Sequence, residues 1–176
     1  MDLTHLVFVD ETGAKTNMTR RYGRAQGGQR VVDSAPHGHW ATTTLLSSVR
    51  LDGSTAPMVI EGPTDADVFT AYVQQVLTPS LHVGDIVILD NLPPHKIAAV
   101  VAAIHAVGAQ VLFLPPYSPD LNPIEPMWSK VKAYLRAFKA RTRRALQAGI
   151  RDALRSVTPD DVLGWFTHCG YVATQS

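Results

Sequence analysis

The sequence predicts an α/β fold, with a mixed sheet of three antiparallel strands followed by two parallel ones, flanked by helices. Three observations point to it. Two short apolar runs, 5–10 and 85–90, each end in an aspartate and read as buried strands. Between them, the β-patterned runs 40–51 and 56–61 are joined by the turn signal Asp52-Gly53, which makes an antiparallel opening. After residue 123 every pattern is helical.

The elements follow in order. Residues 12–30 are rich in Gly and Arg and read as an exposed hairpin or loop. Thr64 is the expected N-cap of a helix, with Asp67 three residues on, and Phe69, Tyr72, Val73, Val76 and Leu77 follow at helical spacing. After the strand 85–90, residues 94–107 read as a helix with Gly108 as its C-cap, and 110–114 as a strand. This βαβ unit predicts that the last two strands are parallel. Four prolines make 115–123 an irregular loop, and helices are predicted over 124–138, 142–156 and 159–168. The last begins Thr158-Pro159-Asp160-Asp161, a cap followed by a first-turn proline and first-turn acids. Antiparallel strands, then parallel α/β, then helices match the order of a ribonuclease H-like fold.

With 176 residues, 45% of them hydrophobic and 18% charged, the chain can bury an ordinary core and is not disordered in composition. A single domain over 1–176 is expected. The lone Cys169 cannot close an internal disulfide, which fits a reducing cytoplasm. The run 5–10 is too short and too acidic at its end for a signal peptide. The apolar stretch 97–114 is broken by His105, Gly108 and Gln110, so no membrane span is expected. The net charge is only +1, but the cations are clustered. Five lie between 12 and 32 with no acid, and nine lie between 130 and 155 against Asp152 alone. Such segments suit a polyanion-binding face, or simply a solvated surface.

Asp10 and Asp90 end two predicted strands, and ligands of α/β sheets sit at the carboxyl ends of strands. If the two strands are parallel neighbours, both acids emerge at one edge, and the proline loop can bring Glu125 over it. Like charges at about 4 Å repel by roughly 4 kcal/mol at an effective dielectric near 20, so protonation or a cation must relieve them. An oxygen-only donor set suits Mg²⁺ or Mn²⁺. Two such ions, about 3.5–4 Å apart, can clamp an in-line displacement at phosphorus. Taken singly, each acid could equally be a turn former, a cap or a partner of a helix dipole.

Three motifs then resemble a known family. Residues 114–132, LPPYSPDLNPIEPMWSKVK, resemble the proline-rich loop, Asn-Pro-x-Glu core and following Trp and Lys of the insertion-sequence 630 branch of the mariner transposase superfamily, whose catalytic domains carry a DDE acid triad. Residues 8–11, FVDE, resemble its first acidic motif, and 89–95, LDNLPPH, its second. Residues 91–124, 34 in all, separate Asp90 from Glu125, the spacing typical of that group. The resemblance covers nearly the whole chain. It implies Asp10, Asp90 and Glu125 as catalytic metal ligands for two Mg²⁺ or Mn²⁺ ions, cleavage at a transposon end, and attack of the freed 3′-hydroxyl on target DNA. It also implies a homo-oligomer on DNA, in a cytoplasmic, nucleoid-associated setting. The family's N-terminal helix-turn-helix is absent from residues 1–176, so either a separate subunit or upstream reading frame is expected to recognise the transposon ends, or the chain is a fragment of a longer protein. A nuclease that only hydrolyses, or a non-catalytic DNA-binding remnant, are the alternatives.

Other residues carry lesser expectations. Glu11 should point away from Asp10 and be a neighbour, not a ligand. Asn91 and His95 could orient a water or a phosphate, or else shape the turn and cap the helix. Trp128 lies on an apolar stripe with Val131, Leu135 and Phe138 and is expected to pack in the core. Lys130, Lys132, Arg136 and Lys139 flank that stripe, and Arg20, Arg21 and Arg24 lie in the early basic loop; all seven are expected at DNA phosphates. His37 and His39 lack a second ligand pair for zinc. Ser118 lacks a histidine–acid partnership for nucleophilic chemistry.

Overall fold

The computed structural model describes residues 2–20, 22–34 and 42–172. The expectations for Arg21, His37, His39 and Trp40 fall outside them. Five strands form one sheet: β1 (Leu6–Ala14), β2 (Thr43–Val49), β3 (Met58–Glu61), β4 (Ile86–Leu89) and β5 (Gln110–Phe113), in the spatial order β3-β2-β1-β4-β5. β1 is antiparallel to β2 and parallel to β4, β2 is antiparallel to β3, and β4 is parallel to β5. Three antiparallel strands and two parallel ones therefore share the central β1, as the sequence predicts. β1 runs past the expected end at Asp10 to Ala14, because β2 supplies an antiparallel partner as far as Ala14↔Thr43.

Side chains alternate along β1 and divide the interior into two cores. Leu6 and Phe8 face α3 (Ile124–Phe138), α4 (Arg143–Arg155) and α5 (Pro159–His168), in a core with Trp128, Val131, Ile150 and Phe166. Val7 and Val9 face α1 (Ala66–Tyr72) and α2 (Ala98–Ala106), in a core with Phe69, Val73, Leu77 and Ile104. All four β1 residues are fully buried, which explains the continuous apolar run.

Several boundaries differ from expectation. The cap of α1 is Asp65, whose carboxylate accepts the Val68 N–H at 2.9 Å, while the buried Thr64 hydroxyl has no partner among the described residues. Two good capping residues stand side by side, and the carboxylate is favoured by the helix dipole. Beyond Tyr72 the chain widens into a π-helical turn, Val73–Leu77, then tightens into a 3₁₀ turn, Thr78–Ser80, that contains Pro79. The expected helix 94–107 is split: a 3₁₀ turn, Pro93–Lys96, and an extended Ile97 precede α2. Gly108 follows α2 at φ +79°, the left-handed position a C-terminal glycine fills at no steric cost.

The C-terminal helices form as predicted. Thr142 caps α4, accepting from the Ala145 N–H at 3.1 Å, and Thr158 and Asp161 form a reciprocal capping box on α5. Along α3, Trp128, Val131 and Leu135 are buried, but Phe138 is 42% exposed at the helix end, where it stacks on Tyr134. The described residues of 15–34 form no strand and run as a loop. Arg141 ties it down by donating to the carbonyls of Thr16, Met18 and Ser34. No helix among the described residues is long and apolar enough to cross a membrane.

Candidate active site

β1 and β4 run parallel in the register Val7↔Val87 and Phe8↔Ile88, which carries Asp10 and Asp90 to the same end of neighbouring strands. Asp10 lies on the α3 side, where the indole N–H of Trp128 donates to its Oδ2 at 3.1 Å. Asp90 begins the turn after β4, and its Oδ1 accepts the Leu92 N–H at 3.0 Å, a local bond that Asp makes readily in turns. Glu125 stands exposed in the first turn of α3. Asp10, Asp90 and Glu125 line one cleft of about 350 Å³ together with Asn91, Tyr117 and Asn122. The three acids singled out from the sequence are thus brought together.

The electrostatics of the cleft are those of crowded carboxylates. Burial pushes the Asp10 carboxyl up, and the charges of Glu125, Glu11 and Asp90 push it further, to about 7, against the opposing hydrogen bond from the Glu11 N–H. Burial also acts upward on Asp90, but the hydrogen bond and charge of His95 outweigh it and hold Asp90 below its ordinary range. The side-chain Oδ1 of Asn122 is buried and has no hydrogen-bond partner among the described residues. Crowded acids, one driven towards protonation, and an unpartnered oxygen make a donor set that suits a hard divalent cation. No three His, Cys, Asp or Glu side chains among the described residues already stand in ligating geometry.

His95 is the main feature that sequence reasoning misplaced. Its ring is fully buried and tilted against Phe69, with ring centroids 4.2 Å apart, Nε2 3.1 Å from Glu11 Oε2 and Nδ1 in ion-pair contact with Asp90. Burial alone would lower its pKa, but the two acids raise it to about 9. It therefore ties the strand-end acid of β4 to the opposite face of β1. It does not cap α2, whose N-cap is Ile97. Asn91 lines the cleft and His95 does not. Glu11 points away from Asp10 as expected, and it is His95's second anchor.

The cations expected at DNA fall into two groups. Lys130 contacts Asp161 and donates to the Ser156 carbonyl, and Lys139 pairs with Asp33 at 2.8 Å, so both are engaged within the chain. Lys132 and Arg136 are half-buried, and Arg20 and Arg24 are exposed; these four have no ion pair among the described residues. Ser118 lines the cleft, and its hydroxyl reaches only the Pro116 carbonyl, at 3.4 Å. At the far end of the sheet, Arg50 and Asp85 form a buried pair whose guanidinium also donates to the Ser80 carbonyl at 3.0 Å. Nothing in the sequence pattern marks it, and it braces the start of β4.

Sheet order and strand directions, with helices on both faces, define a ribonuclease H-like domain with its acids at the carboxyl ends of parallel strands. The chain belongs to the DDE superfamily of endonucleases, whose family pattern matches residues 5–147. Among solved structures it is similar to the Mos1 transposase in a pre-cleavage transpososome, with TM-score 0.75 and 15% identity over 95% of this chain and 53% of that one. The Mos1 mariner paired-end complex with Mn gives TM-score 0.69 and 17% identity over 96% of this chain and 53% of that one. The catalytic core domain of BIV integrase gives TM-score 0.57 and 17% identity over 96% of this chain and 99% of that one. At these identities the likeness is one of fold. The chain spans about half the length of the Mos1 chains in those two complexes. A search of the curated proteins found no match.

Proposed function

We propose that this chain is the catalytic part of a cut-and-paste transposase of the insertion-sequence 630 branch, with Asp10, Asp90 and Glu125 as its catalytic, metal-holding acids. The observation that carries the reading is the convergence of those three carboxylates in one cleft, with Asp10 raised to about 7. Two Mg²⁺ or Mn²⁺ ions, when bound, would supply the positive charge that an in-line phosphoryl transfer needs. Trp128 orients the Asp10 carboxylate, and His95 holds Asp90. Water would displace the 3′-oxygen at the transposon end, breaking that P–O bond and freeing a 3′-hydroxyl. That hydroxyl would then lose its proton and attack a target phosphodiester, forming a bond to the target 5′-phosphate while the target's P–O3′ bond breaks and its 3′-oxygen leaves as a hydroxyl, so that the two DNAs are joined. Lys132, Arg136, Arg20 and Arg24 are the proposed contacts to DNA phosphates. On this reading residues 1–176 act as one catalytic domain on oligomeric complexes, and the ends are recognised by a helix-turn-helix outside these residues.

The test is incubation of the chain with DNA carrying a pre-cut 3′ end, a target plasmid and Mn²⁺ or Mg²⁺. Joined products are expected, with loss of at least a hundredfold in Asp90→Asn. Cleavage without joined products would favour the hydrolytic reading. Full activity of Asp90→Asn would remove the site assignment.

A further inference from the structure

Tyr117 is fully exposed, and its backbone sits at φ +57°, in the left-handed region that bulky residues rarely adopt. It lies in the loop between Pro116 and Pro119 and lines the cleft that holds Asp10, Asp90 and Glu125. Glycine or asparagine would make this turn with less strain. The ring adds nothing to the core, since it is wholly in solvent. Leu92 lines the same cleft and is exposed as well, at 45%. Among the described residues, no Lys or Arg lines the cleft. Whatever enters it meets three acids together with exposed apolar and aromatic side chains, and among the described residues no side-chain cation lines it to grip a phosphate.

From this we propose that Tyr117 is a base-stacking residue, holding the nucleobase next to the phosphate that enters the acid cleft. The inference rests on the phosphoryl-transfer reading above and adds how the substrate strand is held. A nucleobase fits the exposed ring of Tyr117 because aromatic stacking needs no counter-charge and tolerates any base, whereas the phosphate belongs at the acids. The interaction comes from the ring face, so the phenol hydroxyl is dispensable. Stacking of this kind is expected to change affinity by about tenfold or more.

The experiment uses the full chain and a forked DNA duplex with 2-aminopurine as its unpaired 3′-terminal nucleotide, with Ca²⁺ to permit binding without cleavage. Wild type and Tyr117→Phe are expected to quench the fluorophore. Tyr117→Ala should leave it bright and bind about tenfold more weakly, with an unchanged melting temperature. A wild type that cleaves DNA with Mn²⁺, alongside a Tyr117→Ala variant with equal affinity and equal quenching, would overturn the stacking role alone. A wild type that neither binds the fork nor cleaves DNA would overturn the phosphoryl-transfer reading and the stacking role with it. Loss of quenching in Tyr117→Phe would overturn it too, because the hydroxyl would then be the contact.

Discussion

The indole of Trp128, on α3, donates its N–H to the carboxylate of Asp10, within β1, at 3.1 Å, so one residue both fills the core and orients an acid of the cleft. A hydrogen bond to a charged acceptor contributes about 1.5–3 kcal/mol. Trp128→Phe keeps the aromatic packing and removes the donor. Because the lost bond favours the ionised carboxylate, the Asp10 pKa should rise above its present value of about 7. The pH at which Mn²⁺ begins to raise the melting temperature should move upward, as measured by thermal unfolding from pH 6 to about 9.

Asp10 itself makes the metal-free protein less stable at alkaline pH. Its folded pKa, about 7, lies above the ordinary carboxyl value of 3.8. The contribution of the protonated form is thus complete below 3.8 and is lost as pH rises through 7. Asp10→Asn should melt higher than wild type at pH 8 without metal, by up to about 4 kcal/mol, and match it near pH 3.5. Adding Mn²⁺ should stabilise the wild type and not the variant. Equal melting temperatures at pH 8 would show that Asp10 is not crowded.

His95 is buried between Asp90 and Glu11. Removing one member of such a group leaves charges uncompensated, so His95→Ala should lose about 3 kcal/mol in urea unfolding. Glu11→Gln, which keeps an acceptor for Nε2, should lose less.

Lys130 is engaged by α5 and the turn before it, through Asp161 and the Ser156 carbonyl. Asp161, held by Lys130 and by the Thr158 hydroxyl and N–H, is lowered to about 2. Its stabilising effect is present above 3.8 and is lost as pH falls through 2. Asp161→Ala should cost about 1 kcal/mol at pH 7, and the difference should close near pH 2. Lys130→Ala should lower stability and leave the salt dependence of DNA binding unchanged.

Lys132 and Arg136 make the opposite prediction. Each neutral variant should reduce the slope of log affinity against log salt by about 0.9 on duplex DNA, measured by anisotropy, with little effect on melting. A slope that stays the same would exclude a phosphate contact.

The sequence alone determined the order of elements, the aspartates on two buried strand runs and the carboxylate-bearing helix after the proline loop. Those features are local: apolar period, turn chemistry and caps are written in neighbouring residues. Tertiary structure decided what is made between distant segments. The antiparallel partner of β1 extended it to Ala14, and the parallel register with β4 set Asp10 beside Asp90. Closure of α3 over β1 turned Trp128 from a packing residue into a ligand of Asp10, 118 positions away in the chain. Folding across the sheet buried His95 between Glu11 and Asp90, and it consumed Lys130 and Lys139 in intramolecular pairs. The charge of a side chain is a property of its residue type; whether that charge is free depends on which acid the fold brings within reach.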